Sequence, residues 1–301
     1  MPPERLCEHL RLGIQLPEVE RVVHWPEYLH LGRHAEALGF ESLWVGDHFL
    51  YRNDGRPERG PQEAWTLLAA LAASTTQIIL GPLVACTSFH PPAVLAKMAA
   101  TINNISGGRF ILGLGAGWNE PEFSAFGIPF DHRASRFEEA LAIIHSLSQG
   151  QRCTYEGEFY RVQDAVLLPA PQGSTPLMIG SIGDRVLGAA LPCVQWWNTW
   201  YDWYGNTIEG FAQLNSRITE KLVAANRNAS SVRRSACVLV DVDPTATERV
   251  TSGELSAVPL ADLPEHLFKL AQAGAHEAII VANPINAESM TMIAETLRQA
   301  N

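Results

Sequence analysis

The feature that most constrains this chain is a helix closed by glycine and followed at once by an apolar strand, present near both ends. A helical pattern from about His24 to Leu38 stops at Gly39, and Ser42-Leu43-Trp44-Val45-Gly46 follows directly. Far downstream, Ala271-Gln272-Ala273-Gly274 leads in the same way into Ala278-Ile279-Ile280-Val281. Glycine suits a helix C-terminus because it enters the left-handed cap conformation without a Cβ clash. Repetition of such units points to a parallel sheet or barrel.

The stretch between repeats the alternation. A first short strand, 12–16, is closed by Pro17, and an Ala/Leu-rich helix over 63–74 precedes a third strand at 78–84. Pro91-Pro92 starts a helix whose Val94, Leu95, Met98, Ile102 and Ile105 keep helical spacing. A fourth strand (110–114) and a helix over 133–149, with Phe137, Leu141, Ile144 and Leu147 on one face, come next. Strands are then expected at 176–179, 195–200, 236–240 and 278–281, with helices over 207–227, 263–273 and 287–300. Eight strands interleaved with helices predict an α/β fold, a single (β/α)8 TIM barrel domain over 1–301, with an excursion around residues 150–176. A doubly wound open sheet is the alternative. Trp196 and Trp197 look bulky for a barrel interior, which makes the sixth strand the least regular.

Composition narrows the function. The chain has 301 residues, 22 Lys+Arg against 32 Asp+Glu, and a net charge of -10, which argues against a nucleic-acid surface. Cys7, Cys86, Cys153, Cys193 and Cys237 are widely spaced with no C-x-x-C pair, so neither a disulfide framework nor a metal site is expected, and a reducing cytoplasm fits. No signal-peptide-like segment and no run of membrane-spanning length occurs, so the expectation is a protein neither exported nor bound to a membrane.

In a barrel, functional residues follow the strands. That rule collects Asp47-His48, Cys86-Thr87, Gly115 to Asn119, Gly180 to Gly183 and Trp197-Asn198 around one pocket. Gly113-Leu114-Gly115-Ala116-Gly117 is not a dinucleotide fingerprint, because Trp118 stands where the last glycine is required and Pro121 interrupts the helix that should follow. Its glycines suit either a flat ligand or a crowded barrel strand. Gly180-Ser181-Ile182-Gly183 would offer free N–H groups at a helix start to a phosphate, with Arg185 helping, or is a plain turn. His48 follows a carboxylate at a strand end and is the candidate for proton transfer, against a structural histidine. Cys86 reads as a ligand contact or a small buried side chain. Arg136 and Glu139 read as a solvated ion pair, and the polar loop over 49–61 as a site element.

Glu41 to His48, Leu80 to Val84 running on through His90 to Lys97, and Ser106 to Arg109 through Gly117 to Glu122 together resemble the bacterial luciferase-like monooxygenase family, most closely its deazaflavin (coenzyme F-420)-dependent class. The resemblance implies a flavin or deazaflavin at the C-terminal face of the barrel. Its ring would rest on a bulge near Leu83-Val84 that often holds a non-prolyl cis peptide, and its phosphate would lie near Gly180, Ser181, Ile182 and Gly183. Asp47, Cys86, Gly115 and Ala116 would also contact the cofactor, His48 would act as acid or base, and Trp118, Asn119 and Trp197 would face a small-molecule substrate. A homodimer is usual for the family. Three departures stand out: Trp118 replaces a glutamate of sugar-phosphate-oxidising members, Cys86 replaces a frequent threonine, and the sixth strand keeps only Trp197-Asn198 of a common pattern. The expected function is F-420-dependent hydride transfer; an FMNH2/O2 monooxygenase and a non-catalytic flavin-binding protein are the alternatives.

Overall fold

A computed structural model describes residues 10–171, 173–246, 248–249 and 255–300. Its first half runs β1 (Arg11–Gln15), α1 (Trp25–Leu38), β2 (Ser42–Val45), α2 (Ala64–Ser74), β3 (Ile79–Pro82), β4 (Ala85–Cys86), α3 (Pro92–Ile105), β5 (Leu112–Gly115), α4 (Glu120–Ala125) and α5 (Arg133–Ser148). The second half runs β6 (Cys153–Glu156), β7 (Arg161–Ala165), β8 (Leu177–Gly180), α6 (Asp184–Ala190), β9 (Trp196–Thr199), α7 (Ile208–Ala224), β10 (Arg233–Asp241), β11 (Val258–Pro259), α8 (Leu263–Gln272), β12 (Glu277–Asn283) and α9 (Ala287–Ala300). Gly39 and Gly274 take φ of +92° and +97°, so the two glycine stops that set the sequence pattern are left-handed caps.

All pairings in the main sheet are parallel, in the order β3-β2-β1-β12-β10-β9-β8-β5-β4. β3 and β4 are two halves of the expected third strand, separated at Leu83-Val84, whose peptide bond is cis. The first half pairs with β2 and the second with β5, while Leu80 also bridges Phe110 ahead of β5. One interrupted strand therefore brings the sheet round into a barrel of eight strands, as expected. The excursion is the antiparallel hairpin β6-β7. Pro121, read as a break, instead sits in the first turn of α4, where a missing N–H costs nothing.

Inside the barrel lie Trp44, Ile111, Met178, Trp196, Cys237, Leu239, Ile279 and Val281; a larger apolar layer packs between strands and helices. Of the two tryptophans in the sixth strand only Trp196 enters the interior, where Trp44 from β2 joins it; neighbouring strands make room for Trp44 with glycine. A Cβ on Gly81 would stand 3.0 Å from Trp44 Cζ3 and 2.2 Å from Ile111 O, and one on Gly13 would stand 3.1 Å from Trp44 Nε1. Trp196 is flanked by the guanidinium groups of Arg11 and Arg233, at 5.0 and 5.3 Å from its ring. At the N-terminal end of the barrel, buried Glu277 accepts from Ser42 Oγ at 2.7 Å, and burial raises its pKa.

Arg109 ties the base of the third and fourth strands together. Its guanidinium donates to the carbonyls of Ser106, Ile78, Ala72 and Thr75 and to Thr75 Oγ1, over 2.5 to 3.1 Å. The expected Arg136–Glu139 pair does not form. Arg136 binds Asp131 at 2.8 Å, and the Glu139 carboxylate accepts the backbone N–H groups of Glu158, Phe159 and Tyr160 at 2.8, 3.0 and 2.9 Å, holding the hairpin to α5.

Candidate functional site

A cavity of about 630 Å³ opens at the C-terminal ends of the strands, within the size range of a cofactor pocket. Asp47, His48, Leu83, Val84, Cys86, Gly115, Ala116, Trp118, Gly180, Ser181, Ile182 and Gly183 all line it. Two expected residues do not. Asn119 is buried and its Nδ2 donates to Leu50 O at 2.8 Å, pinning the start of the 49–61 loop. Trp197 is fully buried against Phe211, and its indole N–H donates to Ser181 O at 2.9 Å, bracing the glycine turn from behind. Both brace the cavity from behind without lining it.

The glycines around the bulge have a specific neighbour. Cβ atoms on Gly113, Gly115 and Gly180 would lie 3.0, 2.7 and 2.8 Å from the methyl groups of Val84. Three backbones on β5 and β8 thus make room for one side chain, which for Gly113 and Gly115 is the crowded-strand alternative. Gly117 is different: its φ is +76°, and a Cβ there would meet Cys86 Sγ at 2.6 Å and Phe123 Cζ at 2.7 Å. That turn swings the chain from β5 into α4 and delivers Glu122 to the pocket.

Glu122 was not singled out by sequence reasoning, and it organises the surroundings of His48. The His48 Nδ1–H donates to Glu122 Oε1 at 2.8 Å, while Oε2 accepts the N–H groups of Phe49 at 2.9 Å and Leu50 at 3.4 Å. On the other side of the ring, His48 Nε2 lies 3.9 Å from Glu18 Oε1, which accepts from Tyr51 OH at 2.9 Å. Tyr51 and Trp118 enclose the imidazole, with ring centroids 4.8 and 5.6 Å away. Burial works against a charged His48, but the carboxylates of Glu18, Glu122 and Asp47 outweigh it and raise the pKa above the ordinary value. The site can therefore hold a proton on an imidazole fixed in orientation.

Asp47 is buried, and desolvation pushes its carboxyl up to about 7 even though Cys86 N–H donates to Oδ2 at 2.9 Å. Its Oδ1 is buried without a partner among the described residues. Burial also pushes the Cys86 thiol up, so a neutral thiol lines the wall. At the glycine turn, Gly183 N–H donates to Ser181 Oγ at 3.1 Å. Arg185 is turned to α5, with Glu138 at 2.6 and 2.7 Å and Ser135 at 2.9 Å, so it does not join the expected phosphate position.

Besides Glu122, the cavity wall includes Glu18, Tyr51, Asn198, Trp200, Asp202 and Trp203. Asn198 fell among the positions after the strands. Tyr51 lies on a loop flagged by its length, but Glu18 and the 200–203 turn carry no local signal; only the way loops converge over the barrel brings them in. Among the described residues no three or more His, Cys, Asp or Glu are grouped to hold a metal ion, and Cys86, Cys153, Cys193 and Cys237 are free. Cys7 lies outside the described residues. No described helix is long and apolar enough to cross a membrane.

A family model described as luciferase-like monooxygenase matches residues 11–266. The 5,10-methylenetetrahydromethanopterin reductase of Archaeoglobus fulgidus is 37% identical over 181 residues, covering 60% of this chain and 50% of that protein. An F420-dependent glucose-6-phosphate dehydrogenase of Microbacterium testaceum is 36% identical over 209 residues, covering 66% and 56%. The chain thus spans about half the length of these curated relatives. Among solved structures, an F420-dependent secondary alcohol dehydrogenase in complex with an F420-acetone adduct superposes with a TM-score of 0.80 at 17% identity, covering 97% of this chain and 99% of that one.

Proposed function

The chain belongs to the luciferase-like monooxygenase family, and on that premise we propose that it is an F-420-dependent oxidoreductase acting on a small organic substrate at the barrel mouth. The observation that carries this reading is His48, fixed through Nδ1 by Glu122 and open through Nε2 toward the cavity beside the Leu83-Val84 bulge. The relatives named for F-420 support the cofactor.

The residues present fit a deazaflavin. Leu83, Val84, Gly115 and Ala116 would back its ring, the backbone of Gly180 to Gly183 would receive its phosphate, and the unpartnered Asp47 Oδ1 would meet a polar ring atom. When bound, the deazaflavin supplies a carbon centre that gives or takes a hydride. His48 then holds the proton that accompanies hydride transfer, Glu122 keeps its ring oriented and favours its charged form, and Tyr51 with Trp118 limits water around it. This reading also takes the chain as one barrel domain, acting as a homodimer in the cytoplasm.

The family's monooxygenase members favour one competing reading, an FMNH2/O2 monooxygenase on the same barrel. Titration of the protein with F-420 and with FMN, oxidised and reduced, separates the two. Tighter binding of F-420, with turnover independent of oxygen, is the expected result; preference for FMN with oxygen-dependent turnover overturns it. Cofactor binding with no turnover over a broad substrate screen would leave a flavin-binding protein without catalysis.

A further inference from the structure

Arg249, in the segment after β10, ties together the loops after β1 and β9 and the end of β12, yet it lies outside the cavity wall. Its Nη2 pairs with Glu20 Oε1 at 2.5 Å, its Nη1 donates to Tyr201 OH at 3.3 Å, and its backbone N–H donates to Asn283 Oδ1 at 3.2 Å. The guanidinium also stands 5.6 Å from the Trp200 ring. The pair with Glu20 is withdrawn from water, with the two side chains 12% and 5% exposed. Burial works against a charged Arg249, but the neighbouring Glu20, Tyr201 and Glu18 outweigh it and raise its pKa.

Glu20 passes this anchoring to the site. Its second oxygen, Oε2, accepts the backbone N–H of Glu18 at 2.7 Å, and a charge-assisted bond of that length fixes the main chain there. The Glu18 side chain, which does line the cavity, is confined in turn. Tyr51 OH donates to its Oε1 at 2.9 Å, Gln15 Nε2 donates to its Oε2 at 3.3 Å, and a Cβ on Gly46 would stand 2.1 Å from Oε2. Oε1 is thereby left 3.9 Å from His48 Nε2. Neither Arg249 nor Glu20 lines the cavity, so their pair serves no ligand directly.

Resting on the oxidoreductase reading above, we propose that Arg249, acting through Glu20, is a positioning residue of the His48 site: the pair fixes the Glu18 carboxylate beside His48 Nε2 without touching cofactor or substrate. The imidazole is then held between two carboxylates placed by separate parts of the fold, Glu122 by α4 and Glu18 by the segment after β10. Glu18, Glu122 and Asp47 are the carboxyl groups that act on the imidazole, and Tyr51 is the phenol beside it. Removing Arg249 and Glu20 together leaves the net charge unchanged, so its effect on His48 reports where Glu18 stands.

The test reads the titration midpoint of His48 in the whole protein by NMR of isotope-labelled histidine side chains, with the His48→Ala spectrum assigning the signal. The double change Arg249→Met with Glu20→Leu should lower the midpoint by about one pH unit, because a carboxylate that draws back by a few ångström holds the imidazolium less firmly. In a Glu18→Gln background the same double change should have almost no effect. An unmoved midpoint, or a shift of equal size in both backgrounds, overturns the proposal, since a pair that only stabilises the fold would lower the melting temperature and leave His48 alone. Glu20→Gln, which keeps the shape of the side chain, carries the same comparison if the double variant does not fold. Titrations of the same samples with F-420 and FMN keep the two readings apart. Cofactor binding with an unmoved midpoint removes the positioning role alone, whereas a midpoint that moves as expected without binding of either cofactor keeps that role and removes the oxidoreductase reading.

Discussion

His48 Nδ1 and Glu122 Oε1 lie 2.8 Å apart although 74 residues separate them in the chain, and the carboxylate is almost wholly buried. A buried carboxylate that also accepts two backbone N–H groups is rigid, so it orients the imidazole as well as charging it. The ring is left with one nitrogen for the cavity.

His48→Ala should lower turnover by about 10²- to 10⁴-fold while cofactor affinity changes little, because proton transfer and not binding is lost. Glu122→Gln should move the His48-dependent limb of the pH–rate profile to lower pH, since removing an anion lets burial dominate. Unchanged turnover for the first variant, or an unmoved limb for the second, would remove His48 or its partner from the mechanism.

The folded-state pKa of Asp47, about 7, lies above its ordinary value of 3.8, so folding favours the protonated acid. Its contribution to stability is complete below about pH 4 and is lost as pH rises through about 7, a change on the order of 4 kcal/mol. His48, also raised, loses its contribution in the same direction at higher pH. Asp47→Asn keeps an acceptor for Cys86 N–H and should flatten the decline, making the variant more stable than the wild type at pH 8. Chemical denaturation across this range checks it, and parallel pH curves for the two proteins would refute it.

Gly81→Ala should destabilise the fold by roughly 1–3 kcal/mol or more, because the added methyl would meet the Ile111 carbonyl at 2.2 Å and backbone cannot yield as a side chain can. Gly39→Ala makes a useful comparison: its Cβ meets nothing within 4 Å, and only the left-handed φ of +92° opposes it. Thermal melts of the two variants should therefore rank Gly81→Ala as the more damaging.

Arg109→Lys should cost nearly as much as Arg109→Ala, about 2–4 kcal/mol, because an ammonium cannot reproduce a planar fork that reaches Ser106, Ile78, Ala72 and Thr75 together. Near-complete rescue by lysine in urea unfolding would show that charge alone matters there.

The barrel was legible because its signals are local. Gly39 and Gly274 mark helix ends through backbone sterics, the apolar runs mark strands, and their alternation leaves few topologies. The rule that barrel sites follow the strands extended this to Asp47, His48 and the turn at Gly180 to Gly183, and family likeness to Leu83-Val84, all of which reach the cavity. Side-chain direction was not legible. Asn119 and Trp197 stand beside wall residues in sequence yet face Leu50 and Phe211, because strand alternation and one helix turn decide which neighbour points inward.

By itself the sequence determined the eightfold alternation, the end of the barrel at which the cavity opens, and the place of His48 in its wall, since each follows from short-range backbone preference and strand order. Tertiary structure alone decided that Glu122 and Glu18 flank that histidine and that Val84 fills the space beside Gly113, Gly115 and Gly180. These are contacts between residues far apart in the chain, and their energies depend on burial and on distances that no local pattern encodes.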